Sequence, residues 1–152
     1  MIVSNTTPIS HFLHLNRIDI LRQMFGKIHI PLAVKQEIEA AFSDNSQWQQ
    51  CLTDEFFVIG KVKNPILIHK ILGQLHKGEA EALCICMENK VKLCLLDDRD
   101  ARRFAKQNQI PITGTLGILV EARKKGFIES VKPLMNELRS SHHFWIASAI
   151  QT

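Results

Sequence analysis

Residues 92–98 read Lys-Leu-Cys-Leu-Leu-Asp-Asp, the strongest strand signal in the chain. The apolar run from Leu93 to Leu96 leaves no polar face. That pattern suits a parallel strand covered by helices on both sides. The run stops on Asp97 and Asp98, so the strand delivers a pair of carboxylates to its own carboxyl end. In open parallel sheets, that is the end where ligands bind.

The flanking segments alternate in the same way. MIVS at the amino terminus and KIHIP at 27–31 read as short strands, as does IPIT at 110–113, with FFVIGKV at 56–62 a weaker fourth. Between them, apolar residues fall at helical spacing. ISHFLHLNRIDILRQMF (9–25) predicts two helices broken near Asn16, with Thr7 as N-cap and Pro8 in the first turn. LAVKQEIEAAF (32–42) predicts a helix with Val34, Ile38 and Ala41 on one face. PILIHKILGQL, EAEALCICMENK after Gly78, the amphipathic DARRFAKQNQ and LGILVEARKK before Gly126 continue the series, and the tail from Ser130 is mainly helical. The polar stretch from Ser43 to Asp54 reads as a loop. Strands alternating with helices predict a three-layer α/β/α sandwich on a central, mostly parallel sheet.

Length and composition bound the function. A chain of 152 residues predicts a single domain, 1–152, able to bury a sizeable core. The formal charge of +4 suggests a polyanionic partner only weakly. No apolar run reaches the roughly 20 residues that span a bilayer, and the amino terminus lacks the pattern of a signal peptide. Cys51, Cys84, Cys86 and Cys94 form neither a CxxC pair nor a zinc spacing, so they read as small buried thiols in a reducing cytoplasm.

The chemistry-bearing residues are oxygen donors. Asn5, Asp97 and Asp98 fall at strand ends, Glu79 at a helix start beside Gly78, and Glu37 in the helix after the second strand. Such a set, without Cys or His, would suit magnesium or manganese. Each acid has a plain structural reading as well. Glu79 is favoured by the helix dipole, Asp97-Asp98 can form a turn and N-cap, and Glu37 reads as a solvated helical acid, as do Glu81 and Glu88 on one helix stripe. Arg99, Arg102, Arg103 and Lys106 follow the aspartates at helical spacing, either as a stripe for a phosphate backbone or as a solvated face. His142 and His143 are adjacent and, on a helix, diverge by about 100°, which argues against joint metal binding. Phe56-Phe57 and Phe144-Trp145 read as core or interface residues. GTLG (114–117) lacks the spacing of a phosphate loop.

Four stretches together resemble the PIN-domain superfamily, in particular its small bacterial branch of DUF3368 type: VSNTTPIS, IHIPLAVKQEIE, LHKGEAEALCICMENKVKLCLLDDRDARRFA and IPITGTLGILVEARKKGFIESVKPLMNELR. The resemblance implies a divalent-metal-dependent ribonuclease using Mg²⁺ or Mn²⁺, and admits the toxin half of a toxin–antitoxin pair. RNA, an antitoxin protein and a second copy of the chain are the partners it implies. By position it places the acids at Glu37, Glu79 and Asp98, with Asp97 competing. The first acidic position falls on Asn5, beside the hydroxyls of Thr6 and Thr7. Arg99, Arg102, Thr113 and Thr115 would line the substrate path. Asn5 departs from the family pattern: an amide oxygen can coordinate a hard cation but brings no negative charge. The rival reading is therefore a weakened or non-catalytic PIN-like module that binds RNA or a protein. A phosphotransfer enzyme would need an aspartyl nucleophile at a strand end; Asn5 cannot supply it, and although Asp97 or Asp98 could in principle, the surrounding motifs do not match.

Overall fold

The computed structural model describes residues 1–141. Its five strands are β1 (Ile2–Ser4), β2 (Ile28–Pro31), β3 (Phe57–Gly60), β4 (Leu93–Leu95) and β5 (Ile112–Thr113). They form one parallel sheet in the order β3-β2-β1-β4-β5. The chain steps from β1 towards β2 and β3 on one side, then returns to build β4 and β5 on the other. The switch point therefore lies between β1 and β4, where a crevice opens beyond the strand ends.

Strand alternation divides the core in two. Ile28, Ile30 and Leu95 face one layer. Val3, Cys94 and Leu96 face the other. The first layer holds α1 (Thr6–His14), α2 (Ile18–Met24), α3 (Leu32–Phe42), α8 (Thr115–Lys124) and α9 (Lys132–Ser140). The second holds α5 (Pro65–Leu72), α6 (Lys77–Glu88) and α7 (Arg99–Gln107). The three-layer α/β/α architecture read from the sequence is the one observed. Cys84 and Cys86 diverge as expected into separate clusters, and all four cysteines are buried free thiols. No helix among the described residues is long and apolar enough to cross a membrane.

Four local readings are corrected. The segment from Ser43 to Asp54 is not a loop: α4 (Ser46–Thr53) runs through it, started by Asn45, whose side chain accepts from the Trp48 N–H at 3.0 Å. Trp48 is fully buried against Phe57, at 5.3 Å between ring centroids, and one large apolar residue outweighs the polar composition around it. In α3 the buried face is Ala33, Val34, Ile38 and Phe42, with Ala41 exposed, because the face continues at i+4 rather than i+3. The N-cap position of α1 is Asn5 rather than Thr7, which places Pro8 third in the helix. Glu88 is not merely solvated, since it accepts from the Lys63 N–H at 2.9 Å and also from that of Asn64. His142, His143, Phe144 and Trp145 lie outside the described residues.

Helix ends follow a common device. Asn16, Glu55, Gln109 and Gly126 all adopt positive φ just past α1, α4, α7 and α8. The next N–H then reaches back to a carbonyl five residues earlier, as from Ile110 to Ala105 at 2.9 Å and from Phe127 to Ala122 at 2.9 Å. Only Gly126 adopts this conformation without a side-chain penalty. Gln109→Gly should therefore stabilise the fold by about 0.5–1 kcal/mol, read as a melting temperature roughly 1–4 °C higher.

Candidate functional site

The site is assembled at the switch point. The Asn5 N–H donates to the Leu95 carbonyl at 3.1 Å, fastening the end of β1 to the end of β4. The Asn5 side chain is 3% exposed and lines a cleft of about 460 Å³. Its carboxamide has no hydrogen-bond partner among the described residues. Thr6 and Thr7 continue one wall of the same cleft.

Glu37 lines the same cleft. It is exposed on α3, and its Oε2 accepts from the Thr6 hydroxyl at 2.7 Å. The other carboxylate oxygen lies over Gly78: a Cβ there would come within 2.6 Å of Glu37 Oε1. A glycine in the first turn of α6 thus makes the close approach of this carboxylate sterically possible.

Glu79 sits beneath, in the first turn of α6, and is 7% exposed. Its Oε1 accepts from the His76 N–H at 3.3 Å. Burial in the first place, and then the facing Asp98 carboxylate, push the Glu79 carboxyl up to about 7 from an ordinary 4.5. The two carboxyl groups line one cleft. Asp98 is the N-cap of α7, with Oδ2 accepting from the Ala101 N–H at 2.9 Å. Both plain readings from the sequence therefore hold: Glu79 occupies a first helical turn and Asp98 caps a helix. The structure adds that the two meet, and that they share a second cleft of about 270 Å³ whose wall includes Leu72, Leu75 and His76.

Asp97 has a different situation from its neighbour. Its Oδ1 accepts from the Thr115 N–H at 2.7 Å and its Oδ2 from the Thr115 hydroxyl at 2.5 Å. His11 Nδ1 lies 3.1 Å from the same Oδ2 and 2.7 Å from Thr115 Oγ1. Because the Thr115 hydroxyl already donates to Asp97, its oxygen is left to accept, so His11 carries its proton on Nδ1. This buried knot joins α1, the end of β4 and the start of α8. Asp97 and Thr115 are absorbed in it, and neither lines either cleft.

The remaining sequence candidates are spread out. Thr113 turns its hydroxyl towards Gly117, where a Cβ would collide with it. Arg102 donates from Nη1 to the Leu96 carbonyl at 3.3 Å, so it is spent on the backbone rather than on an open stripe. Arg99 is exposed at the start of α7. Sequence reasoning missed three residues. His76 and Lys77 line the larger cleft and stand directly before the Gly78-Glu79 step, so their position was the available signal. His11 gave none, because a histidine on an apolar helix face is indistinguishable from ordinary core.

The DUF3368 family model, a PIN domain, matches residues 1–152. The chain belongs to the DUF3368 family of PIN domains. No curated protein and no solved structure matches it.

PIN domains generally use divalent metals. Among the described residues, no three His, Cys, Asp or Glu side chains come close enough together to enclose a metal ion. The donor set nonetheless fits a hydrated hard cation. Magnesium keeps most of its waters and asks for only one or two carboxylates. Glu79 and Asp98 supply such a pair, and its mutual repulsion is the feature that a cation would relieve.

Proposed function

We propose that this PIN domain is a divalent-metal-dependent ribonuclease, with Glu79 and Asp98 holding Mg²⁺ or Mn²⁺ and the Asn5 amide oxygen turned towards the same point. One observation carries the reading: a buried glutamate pushed up to about 7 and facing a second acid at the switch point of the sheet. Retaining such a pair is costly unless something positive is meant to sit there. When bound, the cation would acidify a coordinated water and offset charge on the pentacovalent phosphate. The chain's own contribution is positional. Glu37, steadied by the Thr6 hydroxyl, stands in the cleft where it can take a proton from an attacking water. The knot of His11, Asp97 and Thr115 fixes the backbone from which Asp98 projects.

Family resemblance supports two further parts of the reading, a toxin whose partner is an antitoxin protein and a homodimeric state. A second reading rests on Asn5 itself. With one principal charge replaced by an amide, the domain would bind RNA or a protein without cutting.

The test is cleavage of labelled single-stranded RNA with Mn²⁺ or Mg²⁺, and with EDTA. Asp98→Asn is the informative variant, since asparagine caps a helix as well as aspartate does and the fold is kept. The expected result is cleavage by the native protein, abolished by EDTA and reduced at least about 100-fold in Asp98→Asn, the scale on which catalytic groups contribute. Cleavage that survives both treatments would refute the metal-site assignment.

A further inference from the structure

The larger cleft carries two kinds of donor that cation binding leaves unused, the Lys77 ammonium and the N–H groups of the Asn5 amide. Lys77 lines it and forms no ion pair among the described residues, although Glu37 and Glu79 line the same space. Asn5, a residue 3% exposed whose carboxamide makes no hydrogen bond among the described residues and meets the open cleft, lines it too. A carboxylate in that position would offer only acceptors, whereas the amide also offers two N–H donors. An unpaired ammonium and an unspent amide donor lining one cleft are complementary to an oxyanion.

We propose that Lys77 and the Asn5 carboxamide form a phosphate subsite for single-stranded RNA on the Glu37 side of Glu79, with the Glu79–Asp98 pair as the cation side. The proposal rests on the ribonuclease reading above and gives it a direction: one nucleotide phosphate lies against Asn5 and Lys77, next to the carboxylate pair. A cleft of about 460 Å³ is the size of a site for one small ligand, enough for a single nucleotide phosphate and its sugar. The Thr7 hydroxyl in the same cleft extends the donor set, whereas that of Thr6 is spent on Glu37. The exposed arginines of α7 are not part of it. The replacement at position 5 then has a positive role, exchanging metal affinity for a hold on the substrate backbone.

The experiment measures binding without chemistry. A short fluorescein-labelled single-stranded RNA is titrated in EDTA at several salt concentrations, and the anisotropy is recorded. Lys77→Ala should weaken binding at least about five-fold and flatten the dependence of log affinity on log salt by roughly 0.7, the loss of one phosphate contact on a single strand. Lys77→Arg should restore the slope. Asn5→Asp should weaken metal-free binding as well, while Arg103→Ala, exposed on α7, should bind as the native protein does. Native affinity and slope in Lys77→Ala, or no binding by the native protein, would overturn the subsite. The cleavage assay keeps the two readings apart. Metal-dependent cleavage with an unchanged KM in Lys77→Ala would remove the subsite and leave the nuclease. Lys77-dependent binding by a protein that cuts nothing would do the reverse.

Discussion

Without added metal at pH 8, Glu79→Gln melts roughly 4–8 °C above the native protein. In the folded chain the Glu79 carboxyl is pushed up to about 7 by burial and by Asp98, whereas an unfolded glutamate releases its proton near 4.5. Below pH 4.5 both states are protonated and the group takes nothing from stability. Between 4.5 and 7 the unfolded chain gives up its proton while the folded one keeps it, so stability falls as pH rises. Above 7 the loss is complete and constant. It is on the order of 2 kcal/mol, allowing for screening, and each kcal/mol moves the melting temperature of a domain this size by about 2–4 °C. Glutamine keeps the acceptor for the His76 N–H and removes the charge. The difference should therefore vanish at pH 4, and added Mn²⁺ should close it at pH 8 by stabilising the native protein but not the variant. Equal melting of the two proteins at pH 8 would mean that the pair carries no strain.

Asn5→Asp is the second large change, and its two effects run in opposite directions. In EDTA, a further carboxylate at a position 3% exposed joins Glu79 and Asp98, and the fold should lose about 1–3 kcal/mol. With Mn²⁺ present the same group becomes a ligand. Metal affinity and metal-limited RNA cleavage should each rise at least about ten-fold, and the stability should return. Calorimetric titration of Mn²⁺ alongside the cleavage assay separates these effects. If Asn5→Asp cuts RNA and the native protein does not, the domain is disarmed and works by binding. If the substitution leaves metal affinity unchanged, residue 5 is not directed at the cation.

The sheet was legible because its signal is local and redundant. Leu93 to Leu96 can only be a buried strand, and Asn16 and Gly126 mark helix ends that need a left-handed residue. Helix α4 escaped notice because only Trp48 and Cys51, rather than a longer periodic face, hold it in place. At the site, the strand ends brought Asn5 and Asp98 to the switch point as the sequence implied. What it could not reveal was which of two adjacent aspartates turns inward. That depends on Thr115 and His11, which are 18 and 86 residues away from Asp97 and meet it only in the folded chain. The same holds for the arginines of α7. Helical spacing puts Arg102 on a stripe, but the Leu96 carbonyl takes its guanidinium.

Asp97 and Asp98 look like a repeated letter, and in the folded chain they are two different words. One is spoken for by a threonine and a histidine behind the sheet, the other faces a glutamate in front of it. Neither can stand in for the other, because neighbouring residues leave a strand in opposite directions. Deleting a single residue upstream in β4 would move Asp98 into the place of Asp97 and Arg99 into the place of Asp98, so the front would exchange its carboxylate for a guanidinium. The doubled acid is thus a reading-frame mark for the sheet, tying the alignment of β4 on β1 to whether the cleft has any chemistry at all.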